Sequence, residues 1–254
     1  MLRLLTLNAL FKGDVRPRMA AIGAMLQERA YDVVCLQEVM APGSARMIAR
    51  LAPAYPHRRY SGATLVKGGL MLLSRWPITA ARFVRFPLTR PVRPELLMRK
   101  GAQLAVLDTP DGRLTVVNTH LSANRDDDWA PQNRYSAVAR VELARLGREL
   151  SALAPDAPAV VTGDMNLPRE SAVLAEFLAA RGLRDAMAGD TRPTYRPIPQ
   201  WPDPPAFDHV LLRGPVTAAC RLTLEEDTIT LGDGRRVYLS DHYGIEADLS
   251  TVAA

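Results

Sequence analysis

Sulfur is scarce in this 254-residue sequence, whose only cysteines are Cys35 and Cys220. Neither belongs to a CxxC pair, so a zinc site or a disulfide framework has little support. Cys35 lies in the apolar run Val33-Val34-Cys35-Leu36, where a buried free thiol and a reducing, cytoplasmic setting are expected. Lysine is almost missing: three of the 32 Lys and Arg residues are lysines. No apolar run approaches the roughly 18 residues of a membrane span, which argues against a transmembrane segment. The first ten residues, MLRLLTLNAL, are apolar but short and lack a small-residue cleavage site. They are expected to form the first strand of the fold and not a signal peptide.

The composition that remains is that of a globular chain. Hydrophobic residues make up 48% and charged residues 23%, enough for one large domain spanning 1–254. The formal charge of +5 would draw nucleic acid, anionic lipid or phosphorylated ligands through its long-range field, without choosing among them.

Pattern along the chain gives many strands and few helices. Short β-branched or leucine-rich runs at 2–7, 32–37, 102–107, 114–118, 159–162, 207–212 and 243–249 read as strands. Residues 64–74, around Gly68-Gly69, read as two strands joined by a tight turn, and Asp111-Gly112 as a hairpin turn. Helical stripes are expected over 16–30, 44–51, 131–154 and 169–181, the last ending at Gly182. Strand pairs with helices between them fit two packed sheets carrying helices on their outer faces.

Polar residues recur where the strands end. Asn8, Glu38, His120, Asp164, Asn166, Asp208, Asp241 and His242 each follow, open or flank an apolar run. All offer oxygen or imidazole nitrogen and none is a thiolate, a donor set that suits Mg²⁺, with Mn²⁺ or Ca²⁺ as alternatives. Gly163 lets the chain turn after the strand 159–162, and the spacing of Asp164 and Asn166 is expected to aim both at one spot. Arg82, Arg85, Arg90, Arg93 and Arg99 lead into Lys100 with a single acid, Glu95, among them. Trp129, Tyr195 and Trp201 sit in the two longest polar loops, placed either to stack on a ligand or to anchor those loops.

The ordered set TLN, LQEV, NTHL, GDMN, FDHV and SDH resembles the endonuclease/exonuclease/phosphatase superfamily over nearly the whole chain. The segments YPHRRYSG, KGGLMLLSRWPI, RKGAQLAVL and NRYSAVARVELARL are similar in kind and order to those of neutral sphingomyelinases. The resemblance implies an α/β fold, a four-layered α/β/β/α sandwich with two packed mixed sheets. It also implies metal-dependent phosphodiester hydrolysis, on a phospholipid or sphingolipid or, alternatively, on DNA or RNA. The roles it implies place Glu38, Asn8 and Asp241 at the metal. Asp164 and Asn166 would orient the attacking water, with Asp164 accepting its proton. His242 paired with Asp208, together with His120, would donate to the phosphoryl group. The basic charge around them makes Lys100, Arg99 and Arg134 substrate contacts or, alternatively, part of a solvated rim. Peripheral contact with an anionic surface is compatible with this set, and no obligate protein partner is evident.

Overall fold

The computed structural model describes residues 1–62, 68–91, 97–155 and 157–251. Among the described residues, fourteen strands and four helices follow one another. They are β1 Leu2–Asn8, α1 Val15–Arg29, β2 Val33–Gln37, α2 Pro42–Leu51, β3 His57–Ser61, β4 Leu70–Ser74 and β5 Ile78–Arg85. Next come β6 Gly101–Thr109, β7 Gly112–His120, α3 Arg134–Leu153, β8 Ala159–Asp164, α4 Ala172–Arg181 and β9 Arg184–Asp185. The chain closes with β10 Asp208–Arg213, β11 Val216–Thr223, β12 Thr228–Thr230, β13 Arg236–Tyr238 and β14 Gly244–Thr251.

Two six-stranded sheets carry the fold, in the orders β11-β14-β1-β2-β4-β3 and β5-β6-β7-β8-β10-β9. Each is mixed, since β1 runs parallel to β2 and β7 to β8 while the other pairs are antiparallel. The continuous apolar runs follow from burial on both faces. Leu4, Val33, Val116 and Val160 point between the sheets, with Leu72, Leu107 and Val210. Their neighbours Leu5, Val34 and Leu36 turn outward onto Met19, Ile22 and Ile48 of α1 and α2. In the second sheet Val117 and Val161 meet Leu143, Leu146 and Val173 of α3 and α4. Three apolar layers between four structural ones give the sandwich that the family resemblance implied.

The hairpin expected at 64–74 differs from the observed one. Strand β4 is present, but its partners are β2 on one edge and β3 on the other, the latter paired from His57 opposite Ser74 to Ser61 opposite Leu70. Residues 64–67, which were to supply the first strand, lie outside the described residues, as do Arg93 and Glu95. Strand β3, HRRYS at the sheet edge, carries two adjacent arginines and no alternation of buried and exposed residues, so its sequence lacks a strand pattern.

Register sets the site. Across β7-β8-β10, His120 lies opposite Asp164 and Asp164 opposite Asp208, so one row of the second sheet ends in all three. Close approach of β7 and β8 requires Gly163, whose φ is +134° and whose absent Cβ would lie 2.0 Å from the Thr119 carbonyl oxygen. Gly163→Ala combines a backbone clash with an unfavourable φ, and should cost about 3 kcal/mol, read as a lower urea midpoint. A midpoint within error of the parent would show that the two strands can part without loss.

Candidate active site

The first sheet ends beside that row. Strand β1 delivers Asn8, whose Nδ2 donates to Asp164 Oδ2 at 3.0 Å across the gap between the sheets. Its Oδ1 accepts from the Leu10 amide at 3.1 Å, so both ends of this buried amide are engaged. Asn8 therefore orients Asp164 first. Glu38 follows β2 at a φ of +61° and accepts from the Phe11 amide through Oε2 at 3.0 Å. A buried polar strut backs the arrangement: Gln37 donates to Thr6 and Asn118, and Asn118 donates to the Leu36 and Met71 carbonyls.

Asp164 is the hub. Its Oδ2 lies 3.3 Å from His120 Nε2 and 3.8 Å from His242 Nε2. Burial alone would raise its pKa, but His120, His242 and Lys100 outweigh burial and hold the carboxyl far below the usual carboxylate range. A carboxyl held that low is ionised at neutral pH, with lone pairs available to orient a water and to accept its proton.

Asn166 reaches the same spot by a different route from the one expected. Strand β8 stops at Asp164, and Asn166 adopts φ +50° while its amide donates to Asp164 Oδ1 at 3.0 Å. The pair converges through this side-chain turn, not through strand alternation. Asn166 Nδ2 donates to the Leu121 carbonyl, and Trp129 Nε1 donates to the Asn166 carbonyl.

His242 precedes β14 in irregular chain, with its amide on Ser240 Oγ at 3.1 Å. Its Nδ1 meets Asp208 Oδ2 at 2.8 Å. Burial opposes the charge on this ring, yet Asp208, Asp164 and Asp241 together push its pKa up to about 10. At neutral pH both ring nitrogens then carry protons.

His120 and Lys100 form a second contact on the opposite flank. Lys100 Nζ lies 2.8 Å from His120 Nε2 and donates to the Leu121 carbonyl at 2.8 Å. Lys100 is only 6% exposed, so it belongs to the cluster and not to a solvated rim. With Nε2 facing both Lys100 and Asp164, Nδ1 is left as a buried atom without a protein partner.

The remaining expected residues are less central. Arg99 is half-buried and lines a shallow depression with Lys100, Arg85 and Glu142. Arg134 is exposed at the start of α3, 3.6 Å from Asp126 and stacked on Tyr135, apart from the cluster. Tyr195 had no assigned contact in the sequence, and its ring packs edge-on to His242 at 5.1 Å. Trp201, Phe207 and Trp129 extend that contact as a chain of tilted rings. The dense TRPTYRPIPQW segment was the available signal for it.

Glu38 and Asp241 complete the cleft. Burial first, and the like charge of Glu38, push the Asp241 carboxyl above its ordinary pKa against the pull of His242. Among the described residues, no lysine or arginine forms an ion pair with either carboxylate. Nor do three acidic, histidine or cysteine side chains there converge to chelate a cation unaided.

The family model for endonuclease/exonuclease/phosphatase proteins matches residues 5–242. The chain belongs to that family. A neutral sphingomyelinase-like protein of Drosophila melanogaster is 26% identical over 202 residues, covering 75% of this chain and 45% of its own length. An inositol phosphosphingolipids phospholipase C of Schizosaccharomyces pombe is 32% identical over 114 residues, 42% of this chain and 26% of that protein. The chain thus spans less than half the length of either relative. The crystal structure of sphingomyelinase C from Streptomyces griseocarneus shares the fold, with a TM-score of 0.73 at 23% identity over 97% of this chain and 98% of that one.

Proposed function

We propose that residues 1–254 form one catalytic unit, a divalent-metal-dependent phosphodiester hydrolase acting on a sphingolipid or phospholipid headgroup ester. The observation that carries this reading is Asp164, held ionised between Asn8, His120 and the His242–Asp208 pair, beside Glu38 and Asp241, with which no lysine or arginine among the described residues forms an ion pair. The names of the fly and yeast relatives support a lipid substrate over a nucleic acid.

The donor set fits a hard cation. Mg²⁺ typically takes one or two carboxylates and fills its shell with water and phosphate oxygens. Glu38 and Asp241 are such a pair, and Asn8 steadies the adjoining Asp164. When bound, the ion would neutralise a non-bridging phosphate oxygen. The other steps belong to this chain. Asp164 and Asn166 orient a water for in-line attack, and Asp164 takes the water's proton as the new P–O bond forms. The ester bond to the headgroup or lipid oxygen breaks, that oxygen is protonated from solvent, and protonated His242 donates through Nε2 to a phosphoryl oxygen as charge builds there. Asp208 keeps His242 charged, and Tyr195 fixes the ring from its edge.

Stripping the protein with EDTA should reduce hydrolysis of its best phosphodiester by about 10³-fold or more, with recovery on adding Mg²⁺ or Mn²⁺. Sphingomyelin, a glycerophospholipid, plasmid DNA and bis-p-nitrophenyl phosphate would be compared under the same conditions. Full rate after EDTA sinks the metal assignment, and a faster turnover of plasmid DNA than of any lipid sinks the lipid assignment.

A further inference from the structure

Successive residues of β10 turn to opposite faces of the second sheet. Asp208 shares a face with Val210 and Leu212, between the sheets, and reaches the cleft. His209 shares the other face with Leu211, on the side covered by α4, and is fully buried there. Beside it lie two charged side chains that the cleft chemistry leaves unused, Asp185 of β9 and Arg169 of the loop between β8 and α4. Each of these side chains is only 4% exposed. The Arg169 guanidinium donates in three directions: Nε to Asp185 Oδ2 at 2.9 Å, Nη1 to the Asp190 carbonyl at 2.9 Å and Nη2 to the Asp208 carbonyl at 3.0 Å. His209 Nε2 lies 2.9 Å from the Leu167 carbonyl, which can only accept, so this nitrogen carries a proton. Its Nδ1 faces Asp185 Oδ2 at 3.7 Å.

These contacts join the two chain segments on which the catalytic groups sit. The β8–β10 ladder ends with Asp208 opposite Asp164. Past that rung, three bonds tie the loop 165–169 to residues 207–209. They are the Met165 amide on the Phe207 carbonyl at 2.9 Å, His209 on Leu167, and Arg169 on Asp208. The loop side bears Asp164 and Asn166, and the strand side bears Asp208, the partner of His242. Asp185 anchors both side chains, facing Arg169 and His209 with one oxygen while the other accepts from the Met187 amide at 2.9 Å. A buried ion pair is often no more stabilising than packed apolar side chains of similar volume, so stability alone does not account for this one.

We propose that Arg169 and His209, anchored on Asp185, are positioning residues that fix the span between the water held by Asp164 and Asn166 and the donor on His242. The inference rests on the phosphodiesterase reading given above. In-line displacement tolerates little error in that span, and a shift of about 1 Å caused far from the chemistry can cost on the order of 10²-fold in rate. Neither residue touches substrate, so the effect falls on kcat and not on KM. Lysine at 169 keeps a cation for Asp185 but lacks the planar fork that also reaches the Asp190 and Asp208 carbonyls. Leucine at 209 fills much of the ring's volume without a donor for Leu167, whereas glutamine restores an N–H donor.

With bis-p-nitrophenyl phosphate and Mg²⁺, Arg169→Lys and His209→Leu should each lower kcat by about 10-fold or more while KM stays within about 2-fold of the parent. His209→Gln should keep kcat within about 3-fold. Amide hydrogen exchange in metal-free buffer gives a readout independent of turnover. In Arg169→Lys, exchange at Met165 should accelerate about 10-fold more than at Val34 of β2, which reports opening of the whole fold. Leu249→Ala, in β14 opposite Leu2 and away from Asn8, supplies a destabilised control whose Tm falls while kcat holds. Near-parental kcat in both Arg169→Lys and His209→Leu overturns the inference, as does equal acceleration at Met165 and Val34. A loss of kcat in Leu249→Ala as large as that in Arg169→Lys makes the effect general destabilisation and also overturns it. Equal damage from leucine and glutamine at 209 overturns the part assigned to His209. If the wild type hydrolyses neither this ester nor any lipid with Mg²⁺ or Mn²⁺, the phosphodiesterase reading fails by itself, and the exchange ratio still decides whether Arg169 holds the loop.

Discussion

His242→Ala is expected to lower kcat by about 10²-fold or more while leaving KM within a few-fold of the parent. The imidazole sits 2.8 Å from Asp208 and is held protonated well above neutrality, so its charge is in place before substrate arrives. Phosphoryl transfer spreads negative charge over the phosphoryl oxygens, and a preformed donor there favours the transition state over the ground state. Asp208→Asn should act through the same ring, because it removes the main charge that keeps His242 protonated. Its signature is in the pH profile. The alkaline limb, set in the parent by loss of the His242 proton near 10, should move toward the ordinary histidine value of 6.5. A folded His242→Ala protein with near-parental kcat and only a raised KM would make His242 a binding residue and end this mechanism.

The same groups tie stability to pH. The raised His242 pKa stabilises the fold fully below the unfolded value of 6.5, and that contribution is lost as pH climbs through about 10. The depressed Asp164 pKa works in the opposite direction, stabilising above the unfolded value of 3.8 and failing progressively as pH falls below it. In metal-free buffer the Tm should therefore be highest between those two unfolded values, and Asp208→Asn should flatten its alkaline decline.

Much of this site is legible from residue order because its groups lie at the ends of apolar strands, and strand ends in a layered fold collect at one edge. Asn8, Glu38, His120, Asp164 and Asp208 follow that rule. What the pattern hides is connection across loops. Arg196 lies in a segment that reads only as proline-rich, yet its guanidinium bonds three carbonyls and lies against Tyr238 and Tyr243. Lys100 looks like the end of a basic surface loop, and only the β6-β7 pairing, with Gly101 opposite His120, shows that it must lie inside. Asn118 reads as part of a catalytic-looking NTH triplet, whereas its amide spends its donors on two carbonyls of the facing sheet. Periodicity reports which face of an element is apolar. It carries no record of which distant carbonyl a long polar side chain will reach.

Asp164→Asn should be the most damaging single change, with kcat reduced by about 10³-fold. The substitution preserves shape, and its cost comes from charge and orientation. Asn8 and His120 are arranged around a carboxylate, and an amide placed there presents one acceptor where two stood. Oδ1 takes the Asn166 amide and Oδ2 takes the Asn8 amide, so the new NH₂ must face one of these donors. The left-handed turn at Asn166 then loses its anchor, or Asn8 loses its acceptor, and the water is no longer held in line. The change should leave the Mg²⁺ concentration for half-maximal activity nearly unmoved, because Asp164 is assigned to the water and not to the ion. Asp241→Asn should behave in the reverse manner, raising that concentration by about 10-fold or more while added metal restores much of the rate. If Asp164→Asn keeps its rate within about 10-fold of the parent, or is rescued by excess Mg²⁺ as Asp241→Asn is expected to be, the separation of roles between the two carboxylates is wrong.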